Sequence, residues 1–186
     1  MDYFSIFTAG KYNFISNIEY DFKKIDHSDV FECRHLTKSY VDQFRFDIGA
    51  VKREWPDFID SPISWPICSN RMRDVLSNVM KSEVMFLSLL LDAGNKNIPY
   101  NLINILNKVN CLDLAASDVD FHEETDYSSS YLEVNYPVLT KEKIPDNIDI
   151  FRLQEDPLHF FVSKRIIEII ANNKLTGIGI SKVEMI

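Results

Sequence analysis

The stretch SNRMRDVLSNVMKSEVMFLSLLLD, residues 69–92, decides the reading of the fold, because one periodicity gives way to another inside it. Met72, Val75, Leu76, Val79 and Met80 recur at i, i+3, i+4, i+7 and i+8, the apolar stripe of an amphipathic helix. Ser69 stands where such a helix needs an N-cap. From Val84 to Leu91 the apolar residues become nearly continuous, as in a strand covered on both faces. A buried helix shares that composition, but Lys81-Ser82 before the run and Asp92-Ala93-Gly94-Asn95 after it favour a strand.

A similar unit follows at SKRIIEIIANNKLTGIGISK, residues 163–182. Ser163 is its cap, Ile166, Ile167, Ile169 and Ile170 its apolar face, and Val162 with Ile167 a hydrophobic staple. Ser69-Asn70-Arg71 aligns with Ser163-Lys164-Arg165 at an offset of 163 minus 69, or 94, and at that offset Val75-Leu76 meets Ile169-Ile170 and Phe86 meets Ile180. Two readings fit: an internal repeat, or a coincidence of common serine caps and aliphatic helix faces. Arg71 and Arg165 sit at the second helical position, where the helix dipole disfavours a cation by ~0.3–1 kcal/mol. Each therefore calls for a nearby carboxylate or for a ligand, and structural pairing is the commoner case. Ser69, Arg71, Ser163 and Arg165 are assigned structural roles.

Around these units the pattern is strand-like. Tyr3, Phe4, Ile6 and Phe7 open the chain, Ile18, Tyr20 and Phe22 alternate with polar residues, and so do Phe44, Phe46 and Ile48. Residues 100–106, 109–114, 131–134, 148–153 and 177–183 are further candidates. The expected fold is α+β, with two main serine-capped helices packed on a mixed or mostly antiparallel sheet. Residues 1–54 are expected to form a strand-rich extension or small subdomain and residues 55–186 the principal domain, unless the whole is continuous.

The 186 residues suffice for a sizeable core. A net charge of -8 repels phosphates and anionic headgroups, and no basic stripe offsets it, so neither nucleic acid nor a membrane is an expected partner. Cys33, Cys68 and Cys111 form no Cys-x-x-Cys pair and read as reduced thiols. The N-terminus lacks a basic region followed by an apolar run, and the Val84–Leu91 run is too short to span a bilayer, so a cytoplasmic location is expected.

Signals for chemistry are weak. There is no Gly-x-Ser-x-Gly elbow and no phosphate-binding glycine loop, and the four histidines fall in no metal-ligand spacing. Cys33 and His35 would share one strand face, the only local thiol–imidazole pairing. The strongest anomaly is the stretch from Asp113 to Asp126, which holds six acids, including Asp118, Asp120, Glu123, Glu124 and Asp126, and no Lys or Arg. It is no EF-hand: Glu123 stands where the loop needs glycine, and Ser129 where it needs a bidentate glutamate. A solvated loop and a docking surface for a basic partner remain, with Tyr127 and Tyr131 as nearby candidate anchors. No catalytic residue, metal site or cofactor is assigned.

From Trp55 onward the chain resembles a family of bacterial immunity proteins encoded beside polymorphic and contact-delivered toxins. The resemblance rests on Pro56-Asp57-Phe58, the Ser69-x-Arg71 helix start, the Tyr100 strand, Asp113 with Ser117, the Phe151-Arg152 strand, the Ser163 helix and the closing Leu175-Thr176-Gly177. It implies a protein that stays in the producing cell and neutralises a cognate toxin by stoichiometric binding, and an acidic inhibitor suits a basic toxin surface. A small hydrolase or transferase with an unrecognised site, or a generic interaction adaptor, are the alternative functions.

Overall fold

The computed structural model describes residues 1–49, 54–94, 96–123 and 131–186. The first half of the chain runs β1 (Tyr3–Thr8), β2 (Ile15–Glu19), α1 (Lys38–Val41), β3 (Arg45–Ile48), β4 (Phe58–Asp60), β5 (Pro66–Ser69), α2 (Asn70–Leu76) and β6 (Val84–Asp92). The second half runs β7 (Asn97–Ile105), β8 (Lys108–Val109), β9 (Asp118–His122), β10 (Tyr131–Tyr136), β11 (Val138–Leu139), β12 (Ile150–Leu153), β13 (Phe160–Ser163), α3 (Lys164–Asn172), β14 (Ile178–Lys182) and β15 (Glu184–Met185).

This corrects the expected α+β class. The described residues are mostly β, 40% strand against 16% helix, and the α-helices are three short ones. Two sheets carry the molecule, one ordered β2-β3-β6-β7-β5-β4 and the other β14-β1-β13-β12-β8. The serine-led helices lie between them instead of on a single sheet: α2 packs on β5 and β7, α3 on β13 and β1, and the helices touch each other. Met72, Leu76, Ile166 and Ile170 thereby share one core with Phe58, Cys68 and Ile103 of one sheet and Ile6, Ile150 and Val162 of the other. The outer face of the first sheet is covered by residues of the 15–46 region, including Val30, Val41 and Phe44, which pack with Trp65 and Leu102. The outer face of the second is covered by Leu112, Val134 and Leu139, packed with Tyr3, Phe151 and Phe161.

The apolar run 84–91 is a strand, but it alternates: Leu87, Leu89 and Leu91 are buried, while Leu90 is 56% exposed. The expected strand over 109–114 reduces to β8 and an isolated bridge from Leu112 to Leu139. Residues 1–48 enter both sheets, β1 between β13 and β14 and β2–β3 beside β6.

The 94-residue offset has a three-dimensional counterpart. Each half supplies an opening strand (β1 or β7), a segment covering an outer face, a β-hairpin (β4–β5 or β12–β13), a helix and a long strand (β6 or β14). The opening strands, however, are exchanged: β1 pairs with β13 and β14 of the second half, and β7 with β5 and β6 of the first. The register is kept, with Tyr100 opposite Ser69 and Leu89 in one sheet, and Tyr3 opposite Ser163 and bonded through its carbonyl to Val183 N in the other. The offset for these strands is 100 minus 3, or 97. At that spacing Ala9 N bonds Gly177 O and Leu106 N bonds Glu83 O, both at 2.9 Å. Short parallel strands complete the correspondence, β3 beside β6 and β11 beside β15.

Candidate functional site

The motif residues from the two halves form two matching polar clusters. Ser69 precedes α2, and its hydroxyl accepts from Met72 N at 3.1 Å and donates to Asp57 Oδ1 at 2.7 Å. Arg71 Nη1 reaches Asp57 Oδ2 at 2.8 Å, and Tyr100 Oη donates to Pro56 O at 2.5 Å. Across the repeat, Ser163 Oγ accepts from Ile166 N at 3.4 Å and donates to Asp149 Oδ1, Arg165 Nη1 lies 2.7 Å from Asp149 Oδ2, and Tyr3 Oη donates to Ile148 O at 2.8 Å. A carboxylate at each helix N-terminus thus offsets the unfavourable position of each arginine.

The clusters differ in one respect. Asp57 Oδ2 also accepts from Thr176 N at 2.9 Å and Thr176 Oγ1 at 3.2 Å, and Arg71 Nη2 bonds Asn173 O and Lys174 O beyond the end of α3. Pro56-Asp57, Ser69-x-Arg71 and Leu175-Thr176-Gly177, separated in sequence, therefore meet in one network. Gly177 takes φ +82°, and a Cβ there would stand 2.4 Å from Pro56 Cβ and 2.7 Å from Phe58 O. Of the Phe151-Arg152 pair, Arg152 is fully buried, its guanidinium 4.9 Å from the Phe31 ring centroid and its Nη1 donating to Pro157 O at 2.6 Å.

The acidic stretch has a different character. Asp118 to His122 form β9, paired antiparallel with β10, and Tyr131 lies opposite His122. One hairpin face is apolar: Val119 and Leu132 pack with buried Val134 against the outer core. Phe121 is opposite Leu132 on that face and stands 68% exposed. The other face sets Asp120 directly opposite Glu133, a like-charge pair that disfavours the hairpin. Asn135 Nδ2 donates to Asp120 Oδ2 and His122 Nε2 bonds Glu133 Oε2, both at 2.9 Å, which moderates that repulsion. Asp118 and Glu123 are exposed as well. Glu124, Asp126 and Tyr127 lie outside the described residues. Among the described side chains the exposed aromatics of the hairpin are Phe121 and Tyr136, the latter 55% exposed. Neither is among the candidates read from the sequence, although Val119 and Phe121 alternating with Asp118, Asp120 and His122 is a period-two signal.

The other reactive residues are dispersed. Cys33 sits at φ +54° outside any strand, its thiol directed to Asn107 O at 3.5 Å, so the expected strand face shared with His35 is absent. Burial raises all three thiol pKa values, that of Cys111 to about 12. Among the described residues no three His, Cys, Asp or Glu side chains are grouped to hold a metal, and no helix is long and apolar enough to cross a membrane. Compared with known proteins, residues 17–185 match the model of the Immunity protein family (Imm11). No curated protein matches the chain significantly.

Proposed function

We propose, since the chain belongs to the Immunity protein family (Imm11), that it neutralises a cognate toxin by binding it stoichiometrically and without catalysis, inside the cell that makes both. The observation that carries the binding surface is the β9–β10 hairpin. Opposed carboxylates at Asp120 and Glu133 and an exposed Phe121 weaken the isolated fold, and a basic partner surface would relieve both defects. Asp118, Asp120, Glu123, Glu124 and Asp126 then steer the encounter, with Tyr127 and Tyr131 beside them and Phe121 and Tyr136 added as anchors. Co-expression with the toxin encoded beside it tests the function. Restored growth together with a one-to-one complex is expected, whereas restored growth with no complex would exclude neutralisation by binding.

Replacing the five acids by Asn or Gln should slow association with the toxin on the order of tenfold at low salt and flatten its salt dependence. The melting temperature should stay nearly unchanged. Association kinetics identical for parent and variant at ~20 mM and ~200 mM salt, roughly a threefold change in Debye length, would remove the hairpin from the interface.

For Ser69, Arg71, Ser163 and Arg165 the proposal is a framework role. Ser69→Ala and Ser163→Ala should each lower stability by about 1–2 kcal/mol, the upper part of the N-cap range, because each hydroxyl both accepts from the helix and donates to an aspartate. Toxin affinity of the folded variants should match the parent, and selective loss of binding at full stability would instead place these residues in the interface.

A further inference from the structure

The β9–β10 hairpin joins neither large sheet, and its two strands pair only with each other. Its two long edges differ. Val134 N donates to Asp156 Oδ2 at 3.1 Å, so the outer edge of β10 is met by a buried carboxylate of the body. Because that N–H points away from β9, Val134 and Val119 form a non-hydrogen-bonded pair, and the alternation of an antiparallel ladder assigns the rest. From Val119 to His122 the register is continuous: Asp120 with Glu133 and His122 with Tyr131 are hydrogen-bonded pairs, and Phe121 with Leu132 is not. The backbone N–H and C=O groups of Val119 and Phe121 are therefore turned to the other side of β9, where no strand lies among the described residues.

The side chains along this free edge select what can join it. Asp118 and Asp120 are exposed on one face, and among the described residues neither is paired with a Lys or Arg; Asp120 receives only the Asn135 amide. Glu133, exposed opposite Asp120, adds to the same negative face. An antiparallel strand added here would make its hydrogen-bonded pairs with Val119 and Phe121. Its intervening residues would then fall in the closer, non-hydrogen-bonded pairs opposite Asp118 and Asp120, the positions where opposite charges interact best. Residues opposite Val119 and Phe121 would lie on the apolar face and cover the Phe121 ring, 68% exposed. A two-stranded ribbon also gains stability from a third strand. A second copy of this chain fits poorly, because full overlap of two β9 edges sets the two Asp120 side chains against each other. The charges that guard the edge against self-pairing are thus the ones that admit a basic segment.

We infer that the toxin adds a strand to the free edge of β9, through an extended segment in which Lys or Arg alternates with apolar residues. This rests on the neutralisation reading and gives its hairpin surface a binding mode. The test uses the full-length protein and the toxin encoded beside it, with hydrogen exchange read at individual amides. Val119 and Phe121 should exchange freely in the protein alone and slow on the order of 100-fold in the complex, whereas Asp120 and His122 are protected by β10 from the start. Proline is tolerated in an edge strand where its N–H would face outward. Phe121→Pro therefore removes the ring and one hydrogen bond to the added strand, and Phe121→Ala only the ring. At matching melting temperatures Phe121→Pro should bind on the order of tenfold more weakly than Phe121→Ala. A complex in which the Val119 and Phe121 amides exchange as fast as before, or equal affinity of the two folded variants, overturns strand addition and leaves neutralisation standing. Slowing of those amides in the protein alone as its concentration rises would put a second copy on the edge and overturn it likewise. No complex with the parent overturns both.

Discussion

Asp57→Ala should be among the most damaging single substitutions, lowering unfolding free energy by about 3 kcal/mol, because buried hydrogen-bond donors left without an acceptor cost about 1–3 kcal/mol each. The Asp57 side chain is 8% exposed and is the common acceptor for Ser69, Arg71 and Thr176, which belong to the β5–α2 junction and the loop after α3. Its loss leaves the Ser69 hydroxyl and the Thr176 N–H without their acceptor, while Arg71 keeps only the Asn173 and Lys174 carbonyls. Asp149→Ala is the internal control, because that carboxylate holds Ser163 and Arg165 within its own half. Chemical denaturation should rank Asp57→Ala below Asp149→Ala in stability, with Asp57→Asn recovering part of the loss. Equal effects at the two positions would mean that the link from Asp57 to Thr176 adds nothing.

Gly177→Ala should cost on the order of 2–5 kcal/mol. A left-handed conformation penalises a Cβ by about 1–2 kcal/mol, and overlap in a packed site adds about 1–3 kcal/mol. Here the new methyl meets Pro56 and the Phe58 carbonyl, neither of which is the tip of a flexible side chain. Gly94 separates the two contributions: it has φ +78° and nothing within 4 Å of the place a methyl group would occupy, so Gly94→Ala carries only the conformational penalty. Thermal unfolding of the pair should show Gly177→Ala clearly the less stable. Matching transitions would show that the 176–177 turn yields to the added atom.

Much of the local structure could be read from the residues, because it depends on neighbours in sequence. The caps at Ser69 and Ser163, the stripe beginning at Met72 and the run from Val84 all express short-range periodicity. The strand expected over 148–153 is β12, but β4, β5 and β13 escaped because they are three or four residues long, and β5 and β13 are almost wholly buried, which leaves no polar alternation. Missing them made two short helices look like the main layer. The convergence of Asp57, Arg71 and Thr176 was hidden for another reason: each motif is visible alone, but nothing local says that residue 57 meets residue 176. Of the acidic candidates, the strand carrying Asp118 and Asp120 could have been recognised from alternation, whereas the charge opposition with Glu133 depends on a register that only the folded hairpin defines.

The exchange of opening strands has a consequence for synthesis. Tyr3 pairs with Ser163, so β1 leaves the ribosome 160 residues (163 minus 3) before its partner does. At ~5–20 residues per second that is roughly 8–30 s during which an apolar strand has no sheet to join. Neither half can close its own sheet alone, since each borrows a strand from the other. The fold is therefore complete only when β13 and β14 have been made, and a nascent or truncated chain offers exposed strand edges to chaperones and proteases.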